Sequence, residues 1–263
     1  MARSKQQINA IILAGKKDTG KVEENNRFTN KALLQINEIP MIEYIVNALQ
    51  TAALVRDIVV VGPEYDLAPF LGEKVRKILN STESMVRNVQ IGLDYFPHDS
   101  KVLILTSDIP LITGEIVDRF IKKCEPHNAF FYYPIILKEN ILKKYPETIR
   151  SYVNLKEGIY CGGNMVIVGK PVFDRNRQLL DELYQNRKDV KKYISILGAR
   201  FLVKYLMKSL TINEIEKKAA EIVGYPVKGI IIEDPEVMID LDKLSDYELI
   251  SKVMNQKEPT TPS

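Results

Sequence analysis

Short apolar runs alternate with amphipathic stretches through the first half of the chain. Three almost continuously apolar runs span residues 9–14, 57–62 and 101–107. Such runs are typical of strands that are buried on both faces of a parallel sheet. Apolar positions spaced by three and four residues predict helices over 40–49, 83–93 and 114–124. Because strands and helices alternate, the first half predicts an α/β fold with a mainly parallel sheet.

The second half of the chain has a less regular pattern. Strands are predicted over 129–136, 150–155, 165–168, 229–232 and 238–242. Capping boxes at Thr211–Glu214 and Ser245–Glu248 predict the starts of two helices. Strands are therefore spread over the whole chain, which predicts a single domain over 1–254. We expect a helical insert at about 171–222 and a flexible tail over 255–263.

Composition narrows the class of protein. The 263 residues carry 37 Lys plus Arg and 34 Asp plus Glu, a net charge of +3, which is too small to indicate nucleic acid or an anionic membrane as the main partner. Cys124 and Cys161 form no C-x-x-C pair and fit a reducing compartment. No apolar stretch reaches the roughly 18 residues of a membrane span, and the N-terminus lacks a signal-peptide pattern. We therefore expect a cytoplasmic protein.

The loop after the first predicted strand is the first candidate for ligand binding, because open α/β sheets bind ligands at the carboxyl ends of their strands. Gly15, Gly20 and Lys21 match the P-loop pattern G-x-x-x-x-G-K. However, Val22 stands where that motif needs a hydroxyl for Mg²⁺, and no apolar helical pattern follows. The dinucleotide fingerprint G-x-G-x-x-G is absent from this loop.

Four segments in order give a more specific resemblance. The first, the opening segment, consists of Ala10–Gly15, Asn30–Leu34 and Ile39–Tyr44. The other three are Thr106–Leu111, Cys161–Asn164 and Met238–Glu248. Together they resemble the opening, the "D-x-P", the "GGN" and the closing "DVDTPED" segments of MobA-like nucleotidyltransferases, which are relatives of molybdenum-cofactor guanylyl- and cytidylyltransferases. The resemblance covers roughly residues 8–250. It implies a three-layer αβα Rossmann-like fold of the GT-A type with a mixed, mostly parallel sheet.

The resemblance also implies a reaction. An acceptor phosphate or hydroxyl would attack the α-phosphate of an NTP, with CTP or GTP favoured, and pyrophosphate would leave. Backbone N–H groups from Gly15 to Gly20 would hold the triphosphate, and Lys31 would face the α-phosphate. Lys16, Lys17 and Lys21 would neutralise the pyrophosphate. The implied nucleotide-binding residues are Leu13, Ala14, Gly15, Lys16, Gly20, Lys21, Lys31, Ser84 and Ser107, and those implied for the acceptor are Gly162, Gly163 and Asn164.

A metal ion follows from the same resemblance. Asp108 comes directly after a predicted buried strand, and Mg²⁺ usually takes one or two carboxylates plus phosphate oxygens. Asp240 and Asp242 alternate with Ile239 and Leu241, so both carboxylates can point to one face of a strand. We favour Asp242 as the second ligand, with Asp240 as the alternative. Lys31 and Asp108 are the expected catalytic residues.

Each of these residues also has an ordinary structural interpretation. Lys31 could be a solvated surface group, Asp108 could cap a turn, and Gly162–Gly163 could form only a tight turn. Ser84 could cap the helix predicted to follow it. The aspartate that does not bind metal could be an edge-strand charge that prevents aggregation.

The chain departs from the family pattern in its first loop. Lys16 replaces the second glycine of G-G-x-G-x-R, Lys21 stands near the arginine position, and the stretch before Lys31 is longer than in compact members. The closing segment also lacks the Thr-Pro pair. Lysine holds phosphate as a point charge without the bidentate fork of arginine, so these changes favour NTP binding more than strong catalysis.

Three functions are consistent with these observations. The first is a Mg²⁺-dependent nucleotidyltransferase that acts on a small phosphorylated or hydroxylated acceptor. The second is a glycosyltransferase of related fold, although Ser107–Pro110 contains one aspartate where such enzymes carry D-x-D. The third is a non-catalytic nucleotide-binding regulator, which the altered loop favours. An edge strand or the helical insert could form a homodimer.

Overall fold

A computed structural model describes residues 7–16, 30–98, 101–186, 196 and 198–257. In this part of the chain the main sheet has nine strands. These nine strands are β1 Ile8–Leu13, β4 Val55–Val61, β5 Lys77–Leu79, β6 Val102–Thr106, β7 Phe131–Leu137, β8 Val153–Leu155, β9 Gly158–Gly162, β10 Met165–Val168 and β11 Val227–Ile232. Two further strands, β2 Gln35–Ile36 and β3 Ile39–Pro40, form a separate two-stranded ladder.

The strand order is β5-β4-β1-β6-β10-β7-β9-β8, with β11 beside β7. Strands β9 and β10 run against the others, because β10 is antiparallel to β6 and β7, and β9 is antiparallel to β7 and β8. The pairs β1–β4, β1–β6, β4–β5 and β7–β11 are parallel. The mixed, mostly parallel sheet predicted above is thus confirmed.

Helices cover both faces of the sheet. Among the described residues the α-helices are α1 Met41–Thr51, α2 Glu64–Leu71, α3 Met85–Tyr95, α4 Gly114–Lys123, α5 Lys138–Lys144, α6 Lys170–Arg175, α7 Arg177–Gln185, α8 Ala199–Leu206, α9 Ile212–Val223 and α10 Leu244–Lys257. Buried residues of α1 and α4 pack with β1 positions such as Ala10 and Ile12. Buried residues of α3 and α6 pack with the alternate positions Ile11 and Leu13. The predicted three-layer αβα arrangement is therefore confirmed.

Several predicted elements differ from the structure in extent or type. Residues 239–242 form no strand; the 3₁₀ helix Pro235–Met238 precedes them, and Ile239 and Leu241 are nevertheless fully buried. Ser245 opens no helix, because α10 already begins at Leu244. Asp246 instead accepts hydrogen bonds from the backbone N–H groups of Asp242 and Lys243. Helix α10 extends to Lys257, and residues 258–263 lie outside the described part, so the flexible tail stays a prediction.

The helices predicted at about 171–222 are present as α6 to α9 within the described residues. The capping box of Thr211 and Glu214 opens α9 with both reciprocal hydrogen bonds. The description of this region as an insert in a single domain stays a prediction. No helix in the described ranges has the length and apolar character needed to cross a membrane.

Candidate functional site

The carboxyl ends of β1 and β6 lie side by side and start the two segments that build the site. Leu13 pairs with Thr106 in the ladder, and the Ser107 N–H donates to the Leu13 carbonyl over 3.2 Å. Beyond these ends the chain gives Gly15 and Lys16 on one side and Asp108 on the other. Parallel pairing thus brings the predicted phosphate loop and the predicted metal ligand to one edge of the sheet.

Asn30 returns the chain to this edge after the first loop. Its side-chain amide donates to the Ala14 carbonyl over 2.8 Å, and its Oδ1 accepts from the Ala32 N–H over 2.8 Å. The Lys31 N–H donates to the Lys16 carbonyl over 3.1 Å. These bonds place Lys31 beside Lys16 at the start of the 3₁₀ helix Lys31–Leu33. Lys31 is consequently buried, with 5% of its surface exposed, and is not a solvated surface group.

The Lys31 ammonium lies between two of the predicted metal ligands. Its Nζ is 2.6 Å from Asp108 Oδ2 and 2.7 Å from Asp242 Oδ1. Lys16 Nζ is also 2.7 Å from Asp242 Oδ1 and lies 3.9 Å from Asp108 Oδ2. The structure therefore brings residues more than 200 positions apart, such as Lys31 and Asp242, into one charged cluster.

Asp108, Asp240 and Asp242 each offer a carboxylate oxygen within 4.8 Å of the other two. Although residues 239–242 are not a strand, the alternation of buried apolar and acidic residues still turns both aspartates toward Asp108. A backbone hydrogen bond of 2.9 Å from the Leu241 N–H to the Asp108 carbonyl fixes the two segments together. We call Asp108, Asp240 and Asp242 the carboxylate cluster.

The charges in the cluster shift each other's pKa. Burial alone would lower the pKa of Lys31, but the Asp108 and Asp242 carboxylates outweigh it and raise that pKa above its ordinary value. For Asp242, burial is outweighed by hydrogen bonds from Lys16 and Lys31, which lower its pKa. For Asp240, burial and the repulsion of Asp108 outweigh the attraction of Arg150 and raise its pKa to about 6.

The raised pKa of Asp240 predicts a pH-dependent stability. The fold favours protonated Asp240 relative to the unfolded chain, where the pKa of aspartate is about 3.9. This contribution is fully present below about pH 4 and is lost as the pH rises through about 6. In EDTA, the free energy of unfolding of Asp240→Asn should therefore rise relative to that of the wild type between pH 4 and 7, by about 3 kcal/mol.

Urea unfolding at each pH measures this difference. Asp57→Asn, at a partly exposed carboxylate outside the cluster, should follow the wild-type profile. Parallel pH profiles for Asp240→Asn and the wild type would contradict the prediction.

The predicted nucleotide-binding residues are only partly brought together. Leu13, Ala14, Gly15, Lys16 and Ser107 lie at the ends of β1 and β6, and Lys31 is hydrogen-bonded beside Lys16. A Cβ on Gly15 would lie 2.9 Å from Asn88 Nδ2 and 2.9 Å from Ser81 Cβ, so the loop after β5 requires glycine here. Ser84 caps α3 by accepting from the Arg87 N–H over 3.1 Å. Gly20, Lys21 and Lys17 lie outside the described residues.

The predicted acceptor residues lie beside the end of β6. Asn164 accepts at its carbonyl from the Thr106 N–H over 3.1 Å, two residues before Asp108. Gly162 is the last residue of β9, and a Cβ there would lie 2.0 Å from the Tyr133 hydroxyl. Gly163 lies against Pro134 and Val237. The two glycines thus admit close packing by Tyr133 and Val237, and the role of the triplet in acceptor binding stays a prediction.

Sequence reasoning missed Arg150, Asn30 and Asp246, which are all partly or fully buried at this edge. Arg150 is an isolated basic residue in a polar segment, so no periodicity marks it. Asn30 was part of the resembling segment, and its place directly before Lys31 was the available signal. The capping box predicted here pairs Ser245 with Glu248, whereas the structure shows that Asp246 accepts the backbone N–H groups before α10.

Comparisons with known proteins identify the family of this chain. A family model described as the MobA-like NTP transferase domain matches residues 10–199. A hypothetical transferase from Thermus thermophilus has 30% sequence identity and a TM-score of 0.79, with 92% of this chain and 100% of that chain covered. No curated protein matches the sequence significantly.

Two more distant solved structures share the fold. A nucleotidyl transferase from Methanothermobacter thermautotrophicus has 16% identity and a TM-score of 0.56, covering 96% of this chain and 99% of that one. A CMP:2-keto-3-deoxy-manno-octonic acid synthetase has 13% identity and a TM-score of 0.55, with the same coverage. Since the family model matches most of this chain, the resemblance seen in the sequence is confirmed. The chain belongs to the MobA-like NTP transferase family and is a nucleotidyltransferase.

Proposed function

We propose that the protein transfers an NMP from an NTP to a small phosphorylated or hydroxylated acceptor and releases pyrophosphate, with the carboxylate cluster holding Mg²⁺. The observation that carries this proposal is the Lys31 ammonium between Asp108 and Asp242, at 2.6 and 2.7 Å. Asp108 and Asp242 already hold the Lys31 ammonium between them, so this position has the negative charge that a divalent cation needs.

The donor set fits Mg²⁺. Three carboxylate oxygens within 4.8 Å of one another match a hard, oxygen-preferring cation, with phosphate oxygens as the remaining ligands. Asp108 and Asp242 would hold the ion, and Asp240 would add negative charge beside them. When bound, Mg²⁺ neutralises charge on the phosphates and orients them.

The lysines supply the remaining positive charge. The oxygens of Asp108 and Asp242 that contact the ammonium groups of Lys16 and Lys31 cannot bind a metal ion at the same time. When the metal binds, the two lysines would therefore turn toward the phosphates. Lys31 enters from the buried side and would face the α-phosphate, where negative charge increases in the transition state. Lys16, whose side chain is half exposed, can follow the leaving pyrophosphate.

The nucleotide and acceptor are proposed more broadly. We propose CTP or GTP as the substrate; the structural neighbour solved with CTP supports testing CTP first. Gly162, Gly163 and Asn164 are the proposed acceptor residues, since Asn164 is bonded to the end of β6 close to Asp108. The nucleoside triphosphate would then lie between Gly15, after β1, and the end of β6.

A substrate panel tests the proposal. The protein is incubated with each NTP, Mg²⁺ and a set of sugar phosphates, phospho-alcohols and free sugars, and pyrophosphate release is measured. We expect release with one NTP and a restricted set of acceptors. Thermal shifts with an NTP but no pyrophosphate would favour the non-catalytic regulator. Transfer from a sugar nucleotide would indicate the glycosyltransferase, and no thermal shift with any NTP plus Mg²⁺ would overturn the proposal.

A further inference from the structure

Arg150 contacts the segment that carries two of the three clustered carboxylates. Its Nη2 donates to the Asp240 carbonyl over 3.1 Å, and its Nη1 lies 3.5 Å from Asp240 Oδ1. The same Nη2 lies 3.0 Å from Asp246 Oδ1. The guanidinium therefore holds both the backbone and the side chain of Asp240, as well as a second carboxylate in the first turn of α10.

Asp246 extends this contact to Asp242. Its Oδ2 accepts from the Asp242 N–H over 3.1 Å and from the Lys243 N–H over 3.2 Å. Asp246 is 3% exposed, so these bonds are shielded from water. Arg150 thus reaches Asp240 directly and the backbone of Asp242 through Asp246.

Residues 240–243 depend on such contacts because they belong to no helix or strand. In a β-strand, the ladder of backbone hydrogen bonds would fix the direction of the Asp240 and Asp242 side chains. Here that direction depends on the hydrogen bond from Leu241 to Asp108 and on the Arg150–Asp246 pair. The Arg150 side chain is 10% exposed, and its buried Nε has no hydrogen-bond partner among the described residues. Burial of an arginine with an unpaired donor is unfavourable, which indicates that stability alone does not explain it.

We propose that Arg150 is a positioning residue for the carboxylate cluster: it sets the geometry in which Asp240 and Asp242 meet Asp108. This inference rests on the proposed function, in that the cluster binds a divalent cation. Arg150 acts through the aspartates and does not itself contact the nucleotide. Partners that orient metal ligands typically change metal affinity by about 10- to 100-fold when they are removed.

The loss of Arg150 should change the affinity for Mn²⁺ in opposite directions, depending on whether Arg150 acts only through its charge or also positions the aspartates. A cluster without that charge would attract Mn²⁺ more strongly, whereas a cluster without its positioning residue should bind Mn²⁺ more weakly. Arg150→Gln therefore separates the two roles by the direction of the change. Arg150→Lys keeps the charge and loses the planar fork that reaches two carboxylates and a carbonyl.

The experiment is a titration of the full chain with Mn²⁺ alone. The concentration of free Mn²⁺ is measured at each step by electron paramagnetic resonance. Arg150→Gln should weaken binding by about tenfold or more, and Arg150→Lys should fall between it and the wild type. Arg119→Gln is the matched control, because Arg119 holds Asp234 by a similar two-point contact outside the cluster. Thermal unfolding checks that each variant is folded.

The outcomes separate this inference from the proposed function. Wild-type binding with equal or tighter binding by folded Arg150→Gln would overturn the positioning role and leave the metal site intact. If Arg150→Gln does not fold, the same decision rests on Arg150→Lys, where wild-type affinity would overturn the role. Absence of Mn²⁺ binding by the wild type would overturn the proposed metal site and the role of Arg150 with it.

Discussion

Replacing Asp108 with asparagine should lower the rate of pyrophosphate release by about 10³-fold while the protein stays folded. Asp108 is the member of the carboxylate cluster at the end of β6, and its Oδ2 lies 2.6 Å from Lys31 Nζ. Asparagine keeps the shape of the side chain but removes the charge that, in the proposed function, would hold a divalent cation. Loss of several kcal/mol of charge stabilisation in the transition state corresponds to a reduction of this size.

The fold should tolerate Asp108→Asn because its backbone carbonyl still accepts from the Leu241 N–H and Lys31 keeps Asp242 as a partner. Pyrophosphate release is measured with the NTP and acceptor found in the panel, and Mn²⁺ binding is measured alongside. Both should fall together. Asp234→Asn, which removes the surface partner of Arg119, should keep wild-type turnover. An Asp108→Asn rate within tenfold of the wild type would rule out this residue as an essential metal ligand.

Replacing Lys31 with methionine should separate turnover from metal binding. Methionine retains the length of the buried side chain without its charge, so the α-phosphate would lose the ammonium group that we propose faces it. We expect turnover to fall by about 10²- to 10³-fold, the usual loss when one group that stabilises transition-state charge is removed. In contrast, Mn²⁺ binding without nucleotide should become tighter, because Asp108 and Asp242 no longer share their oxygens with Lys31.

The stability of Lys31→Met should also depend on metal. Without Lys31 the buried Asp108 loses its nearest cationic partner, so the melting temperature in EDTA should fall, and Mn²⁺ should restore it by binding the folded state. Lys170→Met, which removes a lysine–carboxylate pair with Asp94 outside the cluster, is the control for both measurements. Weaker Mn²⁺ binding by Lys31→Met would show that the lysine supports the cluster rather than occupying it.

The parts of the fold that the sequence predicted are those with strong periodicity. The buried strands predicted over 9–14, 57–62 and 101–107 and the amphipathic helices predicted over 40–49, 83–93 and 114–124 lie within a few residues of their predicted bounds. Strands β2, β3, β5 and β9 and helices α2 and α5 were not predicted. They are short, α2 contains Pro69, and α5 buries only Ile141, so each lacks the repeated apolar positions that a pattern needs.

The site was predicted by resemblance more than by pattern. Lys31, Asp108, Asp240 and Asp242 stand in segments that resemble a family, and the structure brings all four together. The strand predicted for the last two was wrong because alternation of apolar and polar residues occurs in any extended backbone, with or without a pairing partner. Arg150 could not be predicted, since a single arginine acquires its partners only through long-range folding.

The distance along the chain between Lys31 and Asp242 has a consequence for biosynthesis. A ribosome-bound chain that ends before Asp240 already contains residues 10–199, the whole region that matches the family model, but lacks two of the three clustered carboxylates. Lys31 would then be buried opposite Asp108 alone. Since Asp242 and its backbone partner Asp246 are synthesised more than 200 residues after Lys31, the proposed site can be completed only after residue 246 has been added. A chain truncated before Asp240 would lack two of the three clustered carboxylates and, under the proposed function, should release no pyrophosphate.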